Sequence, residues 1–138
     1  MATISNPTLK IEGVNATTVK ATVNYTLTPN AIEKLAGSVF SEKVQLIGDD
    51  PGTLTDIVIT TLPIQAFAVA AGTGNIQRSR NVNLLKSALN EDSGFQTTGA
   101  ELVDEVVGRI NLTYAANAPI PPALPALTTT NTVSGAWK

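Results

Sequence analysis

Three pairs of neighbouring carboxylates, Asp49 with Asp50, Glu91 with Asp92 and Asp104 with Glu105, are the residues of this chain best suited to chemistry. Two such pairs meeting at one end of a fold would supply a general acid and a general base, or an all-oxygen calcium site. Within a strand, however, adjacent side chains point to opposite faces, so no pair converges by itself. The simpler account is solvated loop charge that also discourages edge-to-edge association of sheets. Arg78 and Arg80 are two residues apart and share a strand face, an arrangement that suits a small anion or a carboxylate. Their simpler reading is a pair of guanidiniums on a solvent face, with stems lying over apolar surface. Gly72-Thr73-Gly74 looks like part of a phosphate loop but lacks the following lysine and the strand-loop-helix setting. The chain contains no histidine and no cysteine, which removes Ser-His-Asp and Cys-His catalysis, imidazole or thiolate zinc sites, and disulfides. Neither a catalytic residue nor a cofactor or metal ligand is assigned.

The elements that must position these residues are mostly strands. Val19, Ala21, Val23, Tyr25 and Leu27 alternate with Lys20, Thr22, Asn24 and Thr26, the period of a strand with one buried face. Val106, Gly108, Ile110, Leu112 and Tyr114 form a second such register within a strand expected over 101–114. Val23→Asp and Ile110→Asp would each place a charge in the core that these registers imply. A first strand over 3–11 is interrupted by Pro7, which belongs on a sheet edge or at a bulge. Asn30 and Glu33 have the form of a capping box, with Ile32 and Leu35 on one helical face and Gly37 ending a short helix. Strands over 38–47 and 54–62 flank the turn cluster Gly48-Asp49-Asp50-Pro51-Gly52 and are expected to pair antiparallel. The stretch from Ile64 to Ala71 is ambiguous between strand and coil. Alternation returns from Ile76 to Leu85, with only its second half expected to be core, and Lys86 to Gly94 reads as a helical turn and loop.

The 138 residues suit one domain, with an apolar fraction of 43% and a charged fraction of only 14%. Thr, Ser, Asn and Gln supply most of the polar surface instead. Net charge is −2 and the nine basic residues are dispersed, so attraction to a phosphate backbone is weak and nucleic acid is not an expected partner. No apolar run approaches the ~20 residues of a membrane-crossing helix. The opening residues 1–7 lack a basic head and an apolar stretch, so synthesis in the cytoplasm without a signal peptide is expected. The aromatic residues are few and scattered, which does not suggest a stacking platform. Three matches to the N-glycosylation pattern, at Asn15, Asn24 and Asn111, are read as chance because two fall inside predicted strands.

Short strands about ten residues apart, separated by Gly, Pro, Asn and Asp turns, predict an all-β fold. The expected architecture is a two-sheet antiparallel sandwich, immunoglobulin-like or jelly-roll-like, with one short helix and extended termini. Residues 1–138 form the single domain, and a Pro-rich connection over 115–126 leads to a C-terminal strand over 128–138. Val133 and Trp137 on that strand, together with Arg78 and Arg80, are the expected interface residues. In its size, its Thr, Asn, Ala and Val richness, its scarcity of charge and its lack of Cys and His, the chain resembles accessory proteins of tailed-phage virions, such as capsid decoration or cement proteins. The resemblance is compositional, covers the whole chain and transfers no residue role. It implies a non-enzymatic subunit incorporated in a virion or similar assembly, whose partners are copies of itself and a larger protein lattice. Bacterial surface, filament or adhesion subunits look similar but call for an export signal, and a small ligand-binding β-sandwich module, the other alternative, usually shows loop aromatics or a charged patch, neither of which is evident.

Overall fold

Where apolar and polar residues alternate, the chain forms long strands, and where Pro, Gly and Asn cluster, the strands stop. The computed structural model describes residues 2–48, 57–89, 104–119 and 126–135. In chain order the elements are β1 (Thr3–Gly13), β2 (Thr18–Thr28), α1 (Ala31–Ala36), β3 (Val39–Gly48), β4 (Ile57–Thr61), β5 (Gln65–Ala68), β6 (Ile76–Leu85), α2 (Lys86–Leu89), β7 (Asp104–Ala116), β8 (Ala126–Thr129) and β9 (Val133–Gly135). All strand pairs are antiparallel. One sheet has the order β1-β2-β6, and the other runs β4-β3-β7-β8, with β5 also on β3 and β9 also on β7.

The two short pairs are single edge strands, each broken once. β4 pairs with Gln45–Gly48 and β5 with Val39–Glu42, so both lie along the same side of β3. β8 pairs with Arg109–Leu112 and β9 with Asp104–Val106, along the same side of β7. Pro63, which has no N–H to donate, sits between β4 and β5. Counted this way, the seven strands among the described residues lie in an immunoglobulin-like order in which the fourth strand pairs with the third rather than the fifth.

The expected registers hold. Val19, Ala21, Val23, Tyr25 and Leu27 are buried, as are Val106, Ile110 and Leu112 across the interior. The core between the sheets also takes in Phe40, Val44, Leu46, Leu62, Val69 and Leu89. Pro7 lies on the edge strand β1, where the register slips by one residue between Ser5 and Thr8 and Asn6 takes a φ of 51°. Gly108 on β7 marks a close approach of the sheets, because a Cβ there would lie 3.0 Å from both Val23 Cγ2 and Thr130 Cγ2.

Three expectations need correction. The stretch after Pro63 contains a strand, β5, because its Ala and Phe residues continue the edge that β4 begins. The single C-terminal strand is two pieces, since the chain turns away from β7 at Asn131, between β8 and β9. Among the described residues there are two short helices rather than the one counted, because the helical turn expected from Lys86 forms as α2 and inserts Leu89 into the core. Asp49, Asp50, Glu91 and Asp92 lie outside the described residues, as does the Pro-rich run at 120–125. Among the described residues no helix is long and apolar enough to cross a membrane.

Candidate functional site

The inward phase of β3 reads Phe40, Glu42, Val44, Leu46, so one carboxylate occupies a position that alternation gives to a core residue. Glu42 is fully buried. Directly across the interior, β6 turns Arg78 and Arg80 inward on the same phase as Ile76 and Val82. Arg78 binds the carboxylate through two nitrogens, Nε to Oε2 and Nη2 to Oε1, each at 2.9 Å. Arg80 Nη1 donates to Oε1 at 2.6 Å. The fourth donor is the Tyr25 hydroxyl, from the neighbouring strand β2, which bonds Oε2. The guanidiniums reach further toward the β4–β5 edge, where Arg78 Nη2 donates to Gln65 Oε1 at 2.9 Å and Arg80 Nη2 to the Pro63 carbonyl. Arg78 also lies over the Phe67 ring, 4.3 Å from its centroid, where a cation is attracted by the π face.

This geometry overturns the placement of the two arginines on a solvent face. They do form a carboxylate contact, but the carboxylate belongs to the same chain and joins the two sheets. Only Arg78 keeps some solvent contact, with 19% of its side chain exposed against 7% for Arg80. Burial by itself would push the Glu42 carboxyl up, but the hydrogen bonds from Arg78, Tyr25 and Arg80, with the charge on Arg78, hold it below its ordinary range. Burial, then the hydrogen bond to Glu42 and its charge, push the Tyr25 phenol well above its ordinary value. The bond to Glu42 raises Arg78 despite its partial burial. A carboxylate has about four lone-pair positions, and all four are taken by these donors. Glu42 therefore has no position left with which to accept a proton from a substrate.

A second buried carboxylate closes the end of the sandwich. Glu33 completes the capping box of α1, accepting the Asn30 N–H on Oε1 at 2.9 Å while Asn30 accepts the Glu33 N–H at 2.8 Å. Its Oε2 accepts the Ala2 N–H at 3.0 Å and the Tyr114 hydroxyl at 2.6 Å, tying the start of the first sheet to the end of β7. Burial, followed by the bond to Glu33 and its charge, raises the Tyr114 phenol. Because Glu33 must turn inward, the face carrying Ile32 and Leu35 turns outward, leaving them 60% and 84% exposed. Gly37 ends the helix with φ 63°, a left-handed cap.

The remaining expected interface residues lie elsewhere. Val133, on β9, pairs with Val106 and packs against the core at the β8–β9 edge of the second sheet, whereas the arginines reach the β4–β5 edge, so these residues do not share one surface. Trp137 lies outside the described residues. Glu42, Glu33 and Tyr25 escaped the sequence-based assignment, although a lone acid in the apolar phase of one strand and two bases in that of another are a complementary signal. Among the described residues no three potential metal ligands of the His, Cys, Asp or Glu type come together. No family model matches this chain, and comparison with curated proteins finds no match.

Proposed function

We propose that this chain is a non-enzymatic structural subunit, of the kind that decorates or cements a tailed-phage capsid, associating with copies of itself and with a larger protein lattice. The observation that carries the reading is the outer face of the β1-β2-β6 sheet. Its cross-strand rungs are Ser5–Thr26–Gln77, Thr8–Asn24–Ser79, Lys10–Thr22–Asn81 and Glu12–Lys20–Asn83. Nine of these twelve side chains are uncharged and polar, and the three charges are confined to one end. Such a surface is well hydrated yet raises no long-range repulsion between copies, which suits repeated packing against protein. Among the described residues the buried ionisable clusters are used to hold sheets and helix together, which further favours a structural role.

Particles purified from cells that produce the chain test the reading. The subunit is expected to co-purify with the shell protein in fixed stoichiometry and to sediment as an oligomer when isolated. Recovery only from the particle-free fraction, as a monomer, would sink it.

A further inference from the structure

Sheet edges invite association unless something blunts them. Among the described residues the two sheets have four edges, and three of them are blunted. β1 carries the Asn6-Pro7 irregularity and a clasp in which the Asn131 side chain accepts the Leu9 N–H at 2.8 Å and donates to the Leu9 carbonyl at 3.2 Å. The β4–β5 and β8–β9 edges are each broken into pieces of five residues or fewer. β6 differs: it is ten residues long, contains no Gly or Pro, and pairs with β2 without a register shift. The Lys86 N–H donates to the Thr17 carbonyl, and alternation from that bond leaves the N–H and C=O of Gln77, Ser79, Asn81, Asn83 and Leu85 facing away from β2. Among the described residues no backbone group bonds them outside helix α2, whose first turn opens at the Leu85 carbonyl. An inward-pointing charge usually protects such an edge, but here both inward arginines are bound to Glu42.

We propose that β6 is a pairing edge for β6 of a second copy, joining two three-stranded sheets into one continuous six-stranded sheet. The inference rests on the reading of the chain as a self-associating subunit and names the surface that associates. Charge selects the register. Antiparallel self-pairing centred on Arg80 sets arginine against arginine, and centring on Ser79 sets Arg78 against Arg80. Centring on Asn81 avoids both, placing Asn81 against Asn81, Ser79 against Asn83, Arg80 against Val82 and Arg78 against Leu84. Asn81 then meets Asn81 and Ser79 meets Asn83, each with its backbone pair facing outward, so the centre of the ladder closes by mutual hydrogen bonds. The flank agrees: of the eight large hydrophobic residues exposed among the described residues, Ile57, Val58, Ile64 and Leu85 lie on this side of the sandwich. A strand from a different protein is the competing occupant.

Residue 81 on a two-fold axis gives a direct test, because its side chain is exposed and takes no part in the core. Sedimentation should give the parent a mass near twice the 14.3 kDa protomer. Asn81→Lys and Asn81→Asp, each setting like charges opposite each other, should be monomeric at the same concentration. An equimolar mixture of the two variants should recover the dimer. A dimeric parent with both variants still dimeric overturns the β6 edge while leaving self-association in place. A parent that stays monomeric overturns self-association itself, and leaves the edge to a foreign strand.

Discussion

At the scale of single residues, the interior is held by two carboxylates that use opposite means to satisfy a buried charge. Glu42 is neutralised by cations, whereas Glu33 is held by a helix start, a backbone N–H and a phenol. Removing one partner of a buried ion pair leaves the others uncompensated, so Glu42→Ala is expected to cost about 3–5 kcal/mol by denaturant unfolding. The acid limb has a defined sign. The folded-state pKa of Glu42 lies below its ordinary 4.5, so its ionised form stabilises the fold above that value and the contribution is lost as pH falls further. The stability gap between the parent and Glu42→Gln should therefore narrow only below about pH 4.5; a gap that closes already at neutral pH would contradict the assignment. The alkaline limb runs the other way. The chain has two tyrosines, Tyr25 and Tyr114, and each donates its hydroxyl to one of the buried carboxylates. Both phenols are raised above 10.0, so the stability they contribute is complete below that pH and declines as pH rises through it. Absorbance of phenolate should stay flat through pH 10 and rise cooperatively with unfolding; a normal, non-cooperative titration would mean that these bonds are absent.

At the scale of elements, the breaks in the edge strands do specific jobs. Between β8 and β9, Thr130 stays on β7, with its N–H donating to the Gly108 carbonyl at 2.9 Å and its Oγ1 accepting the Gly108 N–H at 2.8 Å. Asn131 turns instead to β1 and bonds both backbone groups of Leu9. The break therefore links the edges of the two sheets. It also explains why Gly108 has no side chain, since Thr130 and Val23 occupy the space. Gly108→Ala should cost about 1–3 kcal/mol through overpacking, whereas Gly13→Ala, with open space around it, should cost less; equal effects would refute the close approach. The long strands were legible in the sequence because Val19 to Leu27 and Val106 to Tyr114 alternate strictly, and the capping box because Asn30 and Glu33 have the required spacing. What was not legible follows from contacts between distant segments. Arg78 and Arg80 read as surface residues because Glu42, which lets them turn inward, comes from another sheet, 36 and 38 positions away. Ile32 and Leu35 read as an apolar helix face, while the inward face is set by Tyr114 and Ala2 bonding Glu33.

At the scale of the whole molecule, the C-terminal segment decides how the sandwich closes. The C-terminal strand was expected to carry interface residues, and residues 126–135 pair with β7 of their own chain and clasp β1. A segment that adds edge strands late in the chain can be supplied by the same molecule or by another, because the backbone bonds are identical. What distinguishes an essential edge from a dispensable one is what it covers. β8 and β9 bring Ala126 and Val133 against the core, fill the space over Gly108 with Thr130, and provide the Asn131 link between sheets. Without them β7 becomes an exposed edge, and β1 loses the bonds that hold its middle to the second sheet. A chain ending at Pro125 is therefore expected to lose its cooperative unfolding transition. A synthetic peptide of residues 126–138 added in trans should restore it, with a midpoint that rises with peptide concentration as mass action requires. If the truncated chain instead unfolds at the parent's midpoint, β8 and β9 are dispensable to the core, and the Gly108–Thr130 and Leu9–Asn131 contacts contribute nothing to its stability.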